Sequence, residues 1–222
     1  MSIGACNTIF RPAQGDLPAN IRLSAGTGIW YGDNSDSAGF SASLLEFLKK
    51  ENLKRQKVTI IGAGGAARAA AAGVYKLGGK ALILNRTMHK ARNIATEYNF
   101  RWGGLDSRGV ELMAKYSNII VQATSVGMEG FEDADPLELY TFRGDEYVMD
   151  LIYTPAETRF LERASAAGCK TINGYDMVIR QACMQYVNFM GQDVPHQFLS
   201  RIRSEGGAFL NGDNSWNKIR TG

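Results

Sequence analysis

The sequence is short of cysteine and histidine and has no block of a single charge. Its three cysteines, Cys6, Cys169 and Cys183, are odd in number, far apart and never in CxxC spacing, which argues against a disulfide framework and against a zinc site. Free thiols in a reducing compartment are expected. The two histidines, His89 and His196, fall in no triad or metal-ligand spacing, so neither supports a histidine-based hydrolase or a metal centre. Both are expected at the surface. The 25 basic and 22 acidic residues are scattered and leave a formal charge of +3; without a basic stripe, nucleic acid is not an expected partner. No apolar run approaches the ~20 residues that span a bilayer, and no basic segment followed by an apolar stretch opens the chain. The expectation is a soluble, cytoplasmic protein with no membrane partner.

What is present is enough for one sizeable core: 222 residues, 45% of them hydrophobic. Asn7–Phe10 and Gly28–Tyr31 are strand-like pieces on either side of a Pro, Gly, Asn and Ser-rich stretch that reads as a long hairpin loop. From Ser37 to Lys50, Phe40, Leu44, Leu45, Phe47 and Leu48 recur near helical spacing, with Ser37 as the expected N-cap. After the polar break at Lys49–Gln56, short apolar runs alternate with helical patterns, the signature of a parallel sheet wrapped by helices. The runs are Val58–Ile61, Ala81–Leu84, Ile119–Val121, Tyr147–Ile152 and Lys170–Ile172; the helices between and after them fall near Ala66–Leu77, Met88–Tyr98, Arg108–Lys115, Thr158–Ala167 and Asp176–Met190. Residues 206–222, rich in Gly, Asn and Ser, read as a mobile tail.

The most specific local signal is Gly62-Ala63-Gly64-Gly65-Ala66-Ala67-Arg68, a G-x-G-x-x-A pattern between a predicted strand and a predicted helix. Gly62 permits a tight turn, Gly64 lets the backbone approach a pyrophosphate, and Ala67 is small enough for close packing of helix on sheet. The helix that starts here offers unpaired N–H groups and the positive end of its dipole to phosphates. About 20 residues on, where an acid would hold the ribose 2′-hydroxyl of NAD, the chain reads Asn85-Arg86-Thr87, with Lys90 one turn further. A guanidinium fork suits a 2′-phosphate, so NADP is favoured over NAD. The alternative is a solvated basic helix start.

With these segments in hand, the chain resembles the shikimate dehydrogenase (shikimate/quinate 5-dehydrogenase) family. The matching pieces, in family order, are Gly4-Ala5-Cys6-Asn7-Thr8-Ile9, Gly32-Asp33-Asn34-Ser35-Asp36 with Gly39, the glycine loop, and Asn85-Arg86-Thr87. They continue with Ala123-Thr124-Ser125-Val126-Gly127-Met128, then Tyr153 with Pro155 and Thr158, then Gly174 with Met177 and Gln181. The resemblance implies an NADP-dependent oxidoreductase that interconverts 3-dehydroshikimate and shikimate, or dehydroquinate and quinate, in aromatic amino acid precursor synthesis. It implies an α/β fold of Rossmann type, a doubly wound parallel sheet of order 3-2-1-4-5-6. The cofactor carries the redox chemistry, while the protein orients the two rings and moves one proton.

By resemblance, Asp36 is the catalytic carboxylate of the family's N-T-D motif, here N-S-D, and Asn7 and Gln181 join it in binding substrate hydroxyls. Neutral amides suit a polyol, although turn or cap roles for Asn7 and Asp36 and a plain helix side chain for Gln181 stay open. Cofactor contacts are implied for Gly62, Ala63, Gly64, Gly65, Ala66, Asn85, Arg86, Thr87 and Lys90. Further contacts are implied for Thr124, Ser125, Met128, Tyr153, Gly174 and Met177. Met128 and Met177 are candidate apolar walls for the nicotinamide, with ordinary packing as the alternative, and Tyr153 is equally compatible with a structural role.

The family's catalytic Lys lies in an N-x-T-x-P-x-K segment, and that pattern does not occur within these 222 residues. Lys49, Lys50, Lys54 and Lys57 are expected to lie away from the cleft. The resemblance thus divides the chain into residues 1–36 as a remnant of a substrate domain, 37–56 as a linking helix and 57–175 as the NADP-binding domain. Residues 176–205 form helices returning to the substrate domain, ahead of the 206–222 tail. Met184, Tyr186, Val187, Phe189 and Met190 would then be partly uncovered, inviting self-association or a partner that covers the helix. A second reading from another class is a non-catalytic sensor that keeps the cofactor or cyclitol pocket and regulates a partner.

Overall fold

The computed structural model describes residues 6–10, 22–25, 28–116, 118–195 and 201–202. Six parallel strands form the main sheet: β4 (Lys57–Ile61), β5 (Lys80–Asn85), β6 (Arg101–Gly104), β7 (Ile119–Gln122), β8 (Tyr147–Asp150) and β9 (Lys170–Ile172). Their spatial order, β6-β5-β4-β7-β8-β9, is the expected 3-2-1-4-5-6 arrangement. The reason lies in the residues. Along β4, Ile60 packs in one core and Ile61 in the other; Ile83 and Leu84 of β5, and Ile119 and Ile120 of β7, divide the same way. A strand buried on both faces is largely apolar, and the buried Thr59 inside β4 is satisfied by donating to the Tyr116 carbonyl at 3.1 Å.

One face carries α2 (Gly65–Lys76) and α3 (Met88–Tyr98), backed by α1 (Ser35–Leu48) and α6 (Tyr175–Met190); the other carries α4 (Ser107–Met113), α5 (Arg159–Ala166) and the buried Leu137, Tyr140 and Phe142. Five alanines of α2, at positions 67 and 69 to 72, are buried. Small side chains let α1 press close: a Cβ on Gly73 would sit 2.8 Å from the Phe40 ring. Arg68 of α2 forms a forked ion pair with Glu97 of α3 (2.6 and 2.7 Å), fixing the second helix against the first.

Ahead of the sheet, β1 (Thr8–Phe10), β2 (Arg22–Ala25) and β3 (Gly28–Asp33) make a small antiparallel sheet of order β1-β3-β2. The structure differs from the sequence expectation in three places. The stretch expected as a long hairpin loop contains β2, which pairs with β3 from Arg22↔Tyr31 to Ala25↔Gly28. A sixth strand, β6, had no apolar run to announce it. And α1 starts two residues before Ser37: Asn34 is the N-cap, its side chain accepting from the Ser37 N–H at 3.0 Å. The expected tail at 206–222 and His196 lie outside the described residues.

Among the described residues no group of His, Cys, Asp or Glu is arranged to hold a metal, and no helix is long and apolar enough to cross a membrane. The three cysteines are free thiols.

Candidate functional site

The strand order reverses between β4 and β7, because the chain builds outward through β5 and β6 before crossing back to β7. The carboxyl ends of β4 and β7 therefore diverge and open a crevice, the place where open α/β sheets take ligands. Gly62 follows β4 with φ +115°, and a Cβ there would lie 2.7 Å from the Ala123 carbonyl oxygen. Only glycine can make this turn while the two backbones stay so close. Gly64 caps α2 without any side-chain hydrogen bond, and a Cβ on Gly64 or on Gly65 would meet nothing within 4 Å. The first N–H groups of α2 thus face open space with the positive end of the helix dipole behind them, a ready cradle for an anion.

Two cavities meet at this cradle. The larger, about 680 Å³, is lined by Gly62, Ala63, Gly64, Asn85 and Arg86 on one side and by Ala123, Thr124, Ser125 and the 131–139 segment on the other. The smaller, about 380 Å³, is lined by Gly64, Gly65, Ala66, Thr124, Ser125, Met128 and by Leu151 to Thr154. Their shared wall, Gly64 with Ala123 to Ser125, makes the pair one continuous trough at the start of α2. That arrangement suits a dinucleotide, with its phosphates at the cradle.

Arg86, in the wall of the larger cavity, is exposed, as are Thr87 and Lys90. Asn85 shapes the turn by donating from Nδ2 to the Thr87 carbonyl at 3.0 Å. Met128 and Tyr153, 45% and 42% exposed, stand in the smaller cavity as apolar surface. Met177 is instead buried in the core, and its carbonyl oxygen would touch a Cβ on Gly39 of α1 at 2.8 Å. Gly174 is required by packing, since a Cβ there would overlap the Leu151 carbonyl. Lys57 starts β4, at the end of the strand away from the crevice.

Asn7 and Asp36 come together at the start of α1. Asn7 Oδ1 accepts from the Ser35 N–H (3.0 Å) and from the Thr8 hydroxyl (2.9 Å), and its Nδ2 donates to Ser35 Oγ (3.0 Å). Half-burial pushes the Asp36 carboxyl above the ordinary range, and a hydrogen bond from Asn7 partly opposes this. Gly39 lies on the same face of α1 as Asp36, one turn on. There the backbone and Cβ of Gln181 approach within about 3 Å of where a Gly39 Cβ would stand. The absence of a side chain on Gly39 is what lets α6 pack this closely on α1 at Gln181, one turn along α1 from Asp36.

Two residues that the sequence reading did not single out complete the site. Gln185, one turn beyond Gln181, donates from Nε2 to Ser35 Oγ (3.1 Å) and Thr8 Oγ1 (3.3 Å), tying α6 to the loop that holds Asn7. Gln122, buried at the end of β7, donates to the Val126 carbonyl (2.9 Å) and accepts from the Thr124 N–H, so it shapes the loop shared by both cavities. A lone amide at the end of an apolar strand was the available signal. Gln185→Ala is expected to cost about 1 kcal/mol of stability, read as a lowered urea midpoint with an unchanged slope.

With this geometry in view, the comparisons with known proteins become specific. The family profile described as shikimate / quinate 5-dehydrogenase matches residues 45–135. A shikimate dehydrogenase (NADP(+)) from Maridesulfovibrio salexigens is 38% identical over 187 residues, covering 83% of this chain and 61% of that protein. One from Nitrosopumilus maritimus is 32% identical and covers 90% of this chain and 68% of its own length. The chain belongs to the shikimate/quinate 5-dehydrogenase family. Among solved structures, a shikimate dehydrogenase in complex with NADP+ superposes with a TM-score of 0.71 at 31% identity, over 90% of this chain and 66% of that one. The family's Rossmann-type, doubly wound sheet is the sheet found here. The chain spans just under two thirds of the length of the first relatives it matches, 61% for the Maridesulfovibrio protein.

Proposed function

We propose that the chain is the NADP-binding portion of an oxidoreductase that interconverts a cyclic hydroxy acid and its ketone, 3-dehydroshikimate and shikimate or the quinate pair. The observation that carries this reading is the uncapped start of α2, open at Gly64 and Gly65, in the crevice where the strand order reverses. A pyrophosphate there gains several N–H donors and the helix dipole without displacing any side chain. The residues present fit NADP better than NAD, because Arg86 lines the larger cavity, with Thr87 and Lys90 exposed beside it in sequence. The similar shikimate dehydrogenase of known structure is itself in complex with NADP+.

NADP, when bound, supplies the two-electron acceptor or donor. The chain's own residues do the rest. Met128 and Tyr153 shape the apolar smaller cavity beside the cradle and exclude water there. Asp36, hydrogen-bonded by Asn7 and one turn of α1 from the place where Gln181 of α6 packs on Gly39, is the group that holds or moves a proton at the substrate hydroxyl, while the two amides orient the polyol. The general partner for Asp36 is a lysine that these 222 residues do not supply in the expected pattern. Turnover by this chain alone is therefore slow, and binding and catalysis separate. The exposed Ile9, Val187, Phe189 and Met190 form the surface on which a domain completing the substrate site, or a second copy, would pack.

The test is calorimetric titration with NADP and NAD, on the wild type and on Arg86→Ala. Loss of a charge-assisted contact worth about 2 kcal/mol should weaken NADP roughly 30-fold and leave NAD nearly unchanged. Equal losses for both cofactors would remove the 2′-phosphate assignment, and no binding of either would remove the reading. Shikimate and quinate are then compared as substrates with a lysine-bearing substrate domain supplied.

A further inference from the structure

The Asp150 carboxylate ends β8 and is fully buried. It accepts two hydrogen bonds, from the Ile152 N–H at 2.9 Å and from the Thr158 hydroxyl at 2.7 Å. Burying a carboxylate is costly, and a plain strand-to-loop turn does not need one. Its two partners explain the cost. Ile152 lies in the Leu151–Thr154 wall of the smaller cavity. Thr158 caps α5, accepting from the Leu161 N–H, and with Ile152 it also supports the facing loop. Gly127, next to Met128, has φ +103°, and a Cβ there would stand 3.2 Å from Thr158 Cγ2, 3.3 Å from Thr158 Cβ and 3.6 Å from Ile152 Cδ1. Both walls of the smaller cavity, one carrying Tyr153 and the other Met128, therefore rest on the two groups that Asp150 holds.

We infer that Asp150 is a positioning residue, which through Ile152 and Thr158 sets the spacing of the Tyr153 and Met128 walls and so the affinity for the nicotinamide half of the dinucleotide. Its side chain lines neither cavity. The inference rests on the reading that a dinucleotide lies along the trough. It adds that the two halves are held by separable machinery, Arg86 and the glycine loop for one, the Asp150 pair for the other. The Asp150 carboxyl thus links Ile152 of one wall to Thr158, against which the loop of the other wall packs at Gly127.

The experiment compares two probes on the full 222-residue chain: NADPH, followed by the emission of its nicotinamide, and adenosine 2′,5′-bisphosphate, which lacks that ring. Thr158→Val removes the hydroxyl at nearly constant volume, and Asp150→Ala removes the carboxylate. NADPH affinity should fall about 5- to 30-fold in both, as expected for one or two lost hydrogen bonds, while the bisphosphate binds within about two-fold of wild type. Asp150→Asn should recover part of the loss, because its Oδ1 can still accept from Ile152. If Asp150→Ala does not fold, Thr158→Val and Asp150→Asn decide the matter. Equal losses for both probes, or no loss for NADPH, would overturn the inference while leaving the dinucleotide site standing. Failure of the wild type to bind even the bisphosphate would instead overturn the underlying reading.

Discussion

Asp36→Asn is expected to lower the turnover of shikimate by a factor on the order of 10²–10⁴, measured after a lysine-bearing substrate domain has been supplied, because a positioned proton-transfer group contributes about that much. Asn keeps the shape and the hydrogen bond with Asn7, so KM should move little and kcat should carry the loss. The pH profile gives an independent check. Burial raises the Asp36 pKa and the Asn7 hydrogen bond only partly offsets it. Activity that needs the carboxylate is therefore lost, on going to acid, above the ordinary carboxylate range. Asn7→Ala removes the opposing contact and should move that acidic limb to still higher pH, and Asp36→Asn should abolish the limb. An acidic limb that stays in place in Asp36→Asn would show that another group titrates and would end the assignment of Asp36.

Which parts of this site could be read in the sequence follows from the range of the forces involved. The glycine loop was legible because each of its requirements is local: a positive φ at Gly62, open space at Gly64 and Gly65, a small residue at Ala67. The main strands were legible because burial on both faces demands largely apolar runs. Strand β6 was not, since Arg101-Trp102-Gly103-Gly104 is a short edge strand with two glycines, held in place by pairing with β5. Asn34 and Ser37 are both good N-caps on propensity, and the choice of Asn34 depends on where the chain leaves β3. Gln185 and Asp150 were missed for one reason. A glutamine on a helix and an aspartate ending an apolar strand look like surface residues until another segment covers them. For Gln185 that segment is the Thr8–Ser35 corner, about 150 residues away in sequence for its Ser35 contact. For Asp150 it is Thr158, at the start of α5.

The buried Asp150 also makes the stability of the chain depend on pH in a particular direction. Burial is the largest influence on it and raises its pKa from 3.8 to about 7, against the lowering effect of the Ile152 and Thr158 hydrogen bonds and with Asp135 adding to the rise. In the unfolded chain the group titrates near 3.8. Between these two values the folded state holds the proton more tightly, so the folded state binds more protons and stability falls as pH rises. The contribution of protonated Asp150 is fully present below pH 3.8, is lost progressively up to about pH 7, and changes no further above that. The interval of roughly three pH units corresponds to about 4 kcal/mol at most. Asn cannot ionise, so the difference in unfolding free energy between wild type and Asp150→Asn should shift against the wild type by that order between pH 4 and 7, then level off. Urea unfolding of the two proteins across this range measures it, and taking the difference cancels the other carboxylates. A difference that stays flat from pH 4 to 7 would mean that Asp150 is ionised throughout in the folded chain, its charge fully met by the two hydrogen bonds. In that case the clamp under the Tyr153 and Met128 walls would be a permanent ionic one, indifferent to pH near neutrality.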